Sequence, residues 1–97
     1  MEHVTWSQAQ RFDNGTVASW EYVMQNASLN VAPITIKDRY PEVGYTSNTI
    51  PDSIVHVIGG DGIIELNNGT VVNLATNGQI HLSVGDAYFF KGHLNLL

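Results

Sequence analysis

The amino-acid sequence predicts an all-β protein: a sandwich, a small barrel or a jelly roll. Turn signals recur at short intervals, at Asp13-Asn14-Gly15, Tyr40-Pro41 to Gly44, Gly59-Gly60-Asp61-Gly62, Asn67-Asn68-Gly69, Asn77-Gly78 and Gly85-Asp86. The segments between them are too short for ordinary helices and the right length for strands. No run shows the periodicity of an amphipathic helix, and no internal repeat or linker divides the 97 residues.

In chain order, Ser7 to Phe12 is the one stretch that reads as helical, with Thr5 or Ser7 as its cap and barely two turns of length. Val17 to Met24 and Leu29 to Lys37 are rich in β-branched and aromatic residues and read as long strands, with Pro33 marking an edge or bulge. Pro41 and Pro51 fall in connections. Ser53 to Ile58 is a further strand, and Gly59 to Gly62 reads as a tight turn after it. Ile63 to Leu66 and Thr70 to Leu74 flank an Asn-Gly pair that tolerates positive φ, which predicts a hairpin. A second hairpin is expected across Asn77-Gly78. The apolar end, Leu94 to Leu97, is either a strand paired into a sheet or partner, or a chain cut short.

Composition bounds the function. At 43% apolar and 13% charged residues the chain is too apolar for disorder and too interrupted for a membrane-spanning helix. Four Lys plus Arg against nine Asp plus Glu give a net charge of -5, the wrong sign for nucleic acid or an anionic membrane. A domain of this size hides only about 60 to 65% of its unfolded surface. Cys is absent, so disulfides cannot add stability, and pairing as a homodimer is expected to supply the missing burial. The N-terminal Met1 to Trp6 lacks the basic and apolar regions of a signal peptide, which predicts a cytoplasmic protein.

The segment Ser53-Ile54-Val55-His56-Val57-Ile58-Gly59-Gly60-Asp61-Gly62, followed downstream by Leu82-Ser83-Val84-Gly85-Asp86-Ala87-Tyr88-Phe89-Phe90, resembles the two motifs of the cupin superfamily. Arg39-Tyr40-Pro41-Glu42-Val43-Gly44 and Asn48 are similar to a subgroup of small single-domain cupins. The resemblance implies one domain over residues 1–97, folded as a cupin-like double-stranded β-helix (jelly-roll barrel) with a short N-terminal helical turn. It also implies a ligand site in the barrel mouth, often built on a metal held by two His, a Glu and a later His.

Those ligand positions depend on which glycine ends the first motif. With Gly60, Ser53 takes the Glu position and Thr46 and Asn48 the paired His positions; with Gly59, they fall on Asp52, Tyr45 and Ser47. The last His position falls on Leu96, near His93. Hydroxyls and amides are neutral and bind transition metals weakly, so no metal and no cofactor is expected.

The resemblance places Tyr45, Thr46, Asn48 and Ser53 toward the cavity, as pocket lining. His56, inside an apolar strand, is a candidate hydrogen-bonding group at a pocket or interface, or a satisfied structural His. Arg39 and Tyr40 precede the Pro41 turn at the rim. There a guanidinium can grip a carboxylate or phosphate, or staple the loop through Asp38, Glu42 or Asp52; the staple is the commoner outcome. His81 alternates with Ile80 and Leu82 and points away from them. No nucleophile motif or paired-carboxylate arrangement is present, so no catalytic residue is assigned.

The reading that follows is a metal-free binding module for a small polar or carbohydrate-like ligand. Its rivals are a metal-dependent isomerase or oxygenase using His56, His81 and His93, and an interaction subunit with a filled cavity.

Overall fold

The computed structural model describes residues 1–25, 31–49 and 53–97. Their strands are β1 (Gln10–Asp13), β2 (Val17–Glu21), β3 (Ile34–Ile36), β4 (Arg39–Tyr40), β5 (Thr46–Ser47), β6 (Ser53–Leu66), β7 (Val71–Ala75), β8 (Gln79–Leu82) and β9 (Ala87–Leu96). Every described pairing is antiparallel. The main sheet runs β1-β2-β3-β9-β6-β7 and does not close on itself among the described residues.

The two long strands, β6 and β9, lie side by side and organise the rest. Residues 34–47 run down the free edge of β9 in three short pieces, pairing Ile36 with Leu94, Tyr40 with Phe90 and Thr46 with Tyr88. Along the other edge of β6, β7 pairs with residues 61–65 and β8 with residues 53–56. Leu94 and Leu96 sit mid-sheet, bonded to both β3 and β6.

Three expectations are corrected. The helical segment from Ser7 to Phe12 is a single 3-10 turn over Trp6–Gln8, after which the chain enters β1. Thr5 N–H does donate to the Gln8 side chain at 2.9 Å. Pairing of Gln10–Asp13 with β2 outweighs two turns of weak helix.

Gly59 to Gly62 is not a turn, because β6 continues through it with a bulge between Val57 and Gly59. The glycines answer to close backbone approach instead. A Cβ on Gly60, at φ +82°, would meet the His93 carbonyl, and one on Gly62 the Lys91 carbonyl.

Nor does Asn77-Gly78 make a hairpin. β7 and β8 lie end to end along β6, and the turn is tied down by Asn77 N–H to Val57 O at 2.7 Å and Val57 N–H to Gly78 O at 2.8 Å. The hairpin across Asn67-Asn68-Gly69 forms as expected, closed by Leu66 N–H to Thr70 O at 2.8 Å.

One face of the sheet carries the core: Ile36, Val57, Ile64, Leu74, Leu82, Phe90, Leu94 and Leu96, flanked by half-buried Val17, Ile34, Val55, Ile80 and Tyr88. Each large buried side chain contributes about 1.5 to 3 kcal/mol. On the outside, Trp6 stacks on Trp20 at 4.6 Å, and the Arg11 guanidinium lies 5.4 Å over the Trp20 ring.

Candidate functional site

Strand alternation sorts the candidate residues onto two faces. Directly opposed residues share a face, so Tyr40 stands with Phe90 and Ile64, and Thr46 with Tyr88 and Leu66. Ile64 and Phe90 are buried, which makes this the inner face. Toward the end of β6 and β9 where Leu66 opposes Tyr88, this face carries three hydroxyl-bearing residues, Tyr40, Thr46 and Tyr88, beside Phe90. Tyr88 and Phe90 meet edge to face at 5.4 Å. Burial pushes the Tyr88 phenol above its ordinary value of 10.0, and the nearby Tyr40 adds to the shift, so Tyr88 is a neutral hydrogen-bond donor and acceptor at physiological pH.

Tyr45 lies on the opposite face. Its ring packs on Phe89 at 5.4 Å, and its hydroxyl donates to Glu65 Oε2 at 3.2 Å. Arg39 lies on that face too. Its guanidinium sits 4.1 Å over the Phe89 ring and donates to Pro41 O at 2.7 Å and Gly44 O at 2.8 Å. The rim staple therefore exists, but its acceptors are backbone carbonyls of the loop rather than Asp38 or Glu42, because the fork reaches carbonyls two and five residues on. Asp52 lies outside the described residues.

Asn48 is buried and ties two connections together. Its Nδ2 donates to Leu82 O and Ser83 O, both at 3.1 Å, and its Oδ1 accepts from Ser53 Oγ at 3.0 Å. Its backbone exchanges bonds with Gly85 and Asp86 at 2.8 Å each. Ser53 shares the inner face with Leu82, its opposite number on β8.

His56 faces away from Val55 and Val57, opposite Gln79, with Nδ1 3.1 Å from Gln79 Oε1. His81 and His93 are exposed opposite Ile54 and Asp61. The three histidines lie outside the barrel, and no group of three His, Cys, Asp or Glu able to hold a metal occurs among the described residues. With Gly60 as the motif glycine, the positions that the resemblance assigns to metal ligands do not fit one either. Thr46, Asn48 and Ser53 offer neutral oxygens, the Asn48 amide is engaged on both sides, and Leu96 is core.

Tyr88 is an inner-face residue outside the set of candidates that the sequence motifs indicate. Its signal was there: in Tyr88-Phe89-Phe90, period-two alternation sets Tyr88 beside the core residue Phe90.

No protein-family model and no curated protein matches the chain. Solved structures do. Pac13 from Streptomyces, described as a nucleoside dehydratase and solved with uridine, aligns over 99% of this chain and 77% of its own, with TM-score 0.84 and 17% identity. Ectoine synthase from P. lautus aligns over 99% of this chain and 74% of its own, with TM-score 0.78 and 13% identity. A protein of unknown function from Acidithiobacillus ferrooxidans aligns over 92% of this chain and 82% of its own, with TM-score 0.68 and 12% identity. The chain has the cupin fold, as the motifs in its second half implied.

Proposed function

We propose that the protein binds a small polar organic molecule in the open end of the barrel, without a metal. The observation that carries this reading is the inner-face cluster of Tyr40, Thr46 and Tyr88 beside the Phe90 wall. Hydroxyls that both donate and accept, set against an aromatic surface, match ligands that carry hydroxyls on a ring. A structural neighbour holding uridine makes that nucleoside the first probe. The metal-enzyme rival needs His56, His81 and His93 to converge, and alternation turns all three outward.

Calorimetric titration with uridine, and then with simple sugars, tests the reading. Binding that weakens about tenfold in Tyr88→Phe, the loss of one or two good hydrogen bonds, supports it. Binding indifferent to Tyr88→Phe and to Tyr40→Phe overturns it.

Pairing with a second copy and a cytoplasmic address belong to the same proposal. Exposed Ile54, Ile58 and Leu97 on the outer side offer an apolar surface for pairing, which sedimentation velocity would test. No helix among the described residues is long and apolar enough to cross a membrane.

A further inference from the structure

We infer that this site selects neutral ligands and rejects their phosphorylated or carboxylated counterparts; the inference rests on the binding site proposed above. The chain has only four Lys plus Arg and four His, and the residues outside the described set, 26–30 and 50–52, include none of them. Every Lys, Arg and His side chain can therefore be placed. Arg39 and Lys91 oppose each other on the outer face, and the Arg39 fork is engaged by two carbonyls. Lys37 follows buried Ile36 and is exposed. Arg11 stands opposite Trp20 on the outer side and pairs with Asp13 at 2.7 Å. His56, His81 and His93 turn outward, and His3 is exposed in the N-terminal segment.

The inner face thus offers an anion hydroxyls and apolar walls, with no cation. A phosphate brings about 1.5 to 2 negative charges, and desolvating it without a paired cation is strongly unfavourable. Helix dipoles offer no substitute, since the described residues contain no helix beyond the Trp6–Gln8 turn. The net charge of -5 adds repulsion. A neutral sugar or nucleoside hydroxyl meets none of these penalties.

Matched pairs test the inference: uridine with uridine 5′-monophosphate, ribose with ribose 5-phosphate, and glucose with glucose 6-phosphate, each titrated calorimetrically in buffer free of phosphate. The expected result is a neutral member that binds while its phosphorylated partner is weaker by about tenfold or more. A phosphorylated member that binds as well or better overturns the selectivity and leaves the barrel site standing. Silence from both members of every pair removes the site itself and the inference with it. Thr46→Lys, which sets an ammonium opposite Tyr88 on the inner face, should narrow or invert the ratio. A folded Thr46→Lys protein with an unchanged ratio also overturns the inference.

Discussion

The two faces of the same few strands differ completely in chemistry. Inward from β4, β9 and β6 stand Tyr40, Tyr88, Phe90 and Ile64; outward from them stand Arg39, Phe89, Lys91 and Glu65. The outer set locks onto itself, with Arg39 over Phe89 and holding the loop carbonyls, and Tyr45 bonded to Glu65. The inner set carries the hydroxyl-bearing Tyr40 and Tyr88 beside Phe90. One residue of shift along a strand therefore moves a side chain from one face to the other. Arg39 and Tyr40, neighbours in sequence, stand on opposite faces.

The largest effect should come from the spine that both faces share. Gly60→Ala forces a methyl against the His93 carbonyl at a positive φ and should lower the unfolding free energy by more than about 3 kcal/mol. Gly69→Ala, at φ +90° in an open turn with nothing within 4 Å of the new methyl, should lower it by only about 1 kcal/mol. Urea denaturation of the two variants compares close approach with backbone strain alone. Equal losses would show that the β6–β9 contact is not the constraint.

Next comes Asn48, whose side chain holds the Leu82 and Ser83 carbonyls and the Ser53 hydroxyl. Asn48→Ala should destabilise by about 2 kcal/mol, since buried partners are left unpaired. The thermal midpoint measures this. An unchanged midpoint with lost binding would move Asn48 into the ligand site and blur the division between frame and pocket.

On the outer face, Arg39→Met removes two hydrogen bonds to the loop and the ring contact. It should cost about 1 kcal/mol by urea denaturation, most of the exposed part being replaceable by water.

The smallest effects sharpen the contrast most. Tyr88→Phe should weaken ligand binding while Tyr45→Phe leaves it unchanged, each shifting stability by less than about 1 kcal/mol. The Tyr88 phenol holds its proton more tightly in the folded state than in the unfolded chain, where 10.0 is the ordinary value. Stability is thus unaffected by this group below that value and falls as pH rises through it toward the raised one. Unfolding titrations between about pH 8 and 11 should show a shallower alkaline loss in Tyr88→Phe. An identical slope would mean that the ring is not desolvated.

Much of the frame was legible along the chain. Asp13-Asn14-Gly15 forms the β1–β2 turn, with Gly15 N–H bonded to Asp13 Oδ1 at 2.8 Å, because side chains that satisfy nearby amides act locally. Alternation placed His81 opposite in orientation to Ile80 and Leu82, and the paired motifs pointed to the cupin fold. Gly59 to Gly62 misled for the converse reason. A glycine chosen for a turn and one chosen for the close passage of a distant strand look identical in sequence, and only the carbonyls of Lys91 and His93 tell them apart. The candidate site was half legible. Tyr40 and Thr46 share the face of Phe90 and Tyr88, whereas Tyr45, expected to line the pocket, bonds Glu65 on the other face, and His56 meets Gln79 on the outer side as a structural or interface His would.

By itself the sequence determined what is local or summed over the chain: the β class, the turns made by Asn and Asp side chains, the excess of acid, and the scarcity of cations. Tertiary structure decided which face of each strand turns inward, that β7 and β8 lie end to end rather than as a hairpin, and that Tyr88 joins Tyr40 and Thr46. Those choices depend on register between strands far apart in the chain, and register is settled by which alternation buries Ile36, Ile64, Phe90 and Leu94 together.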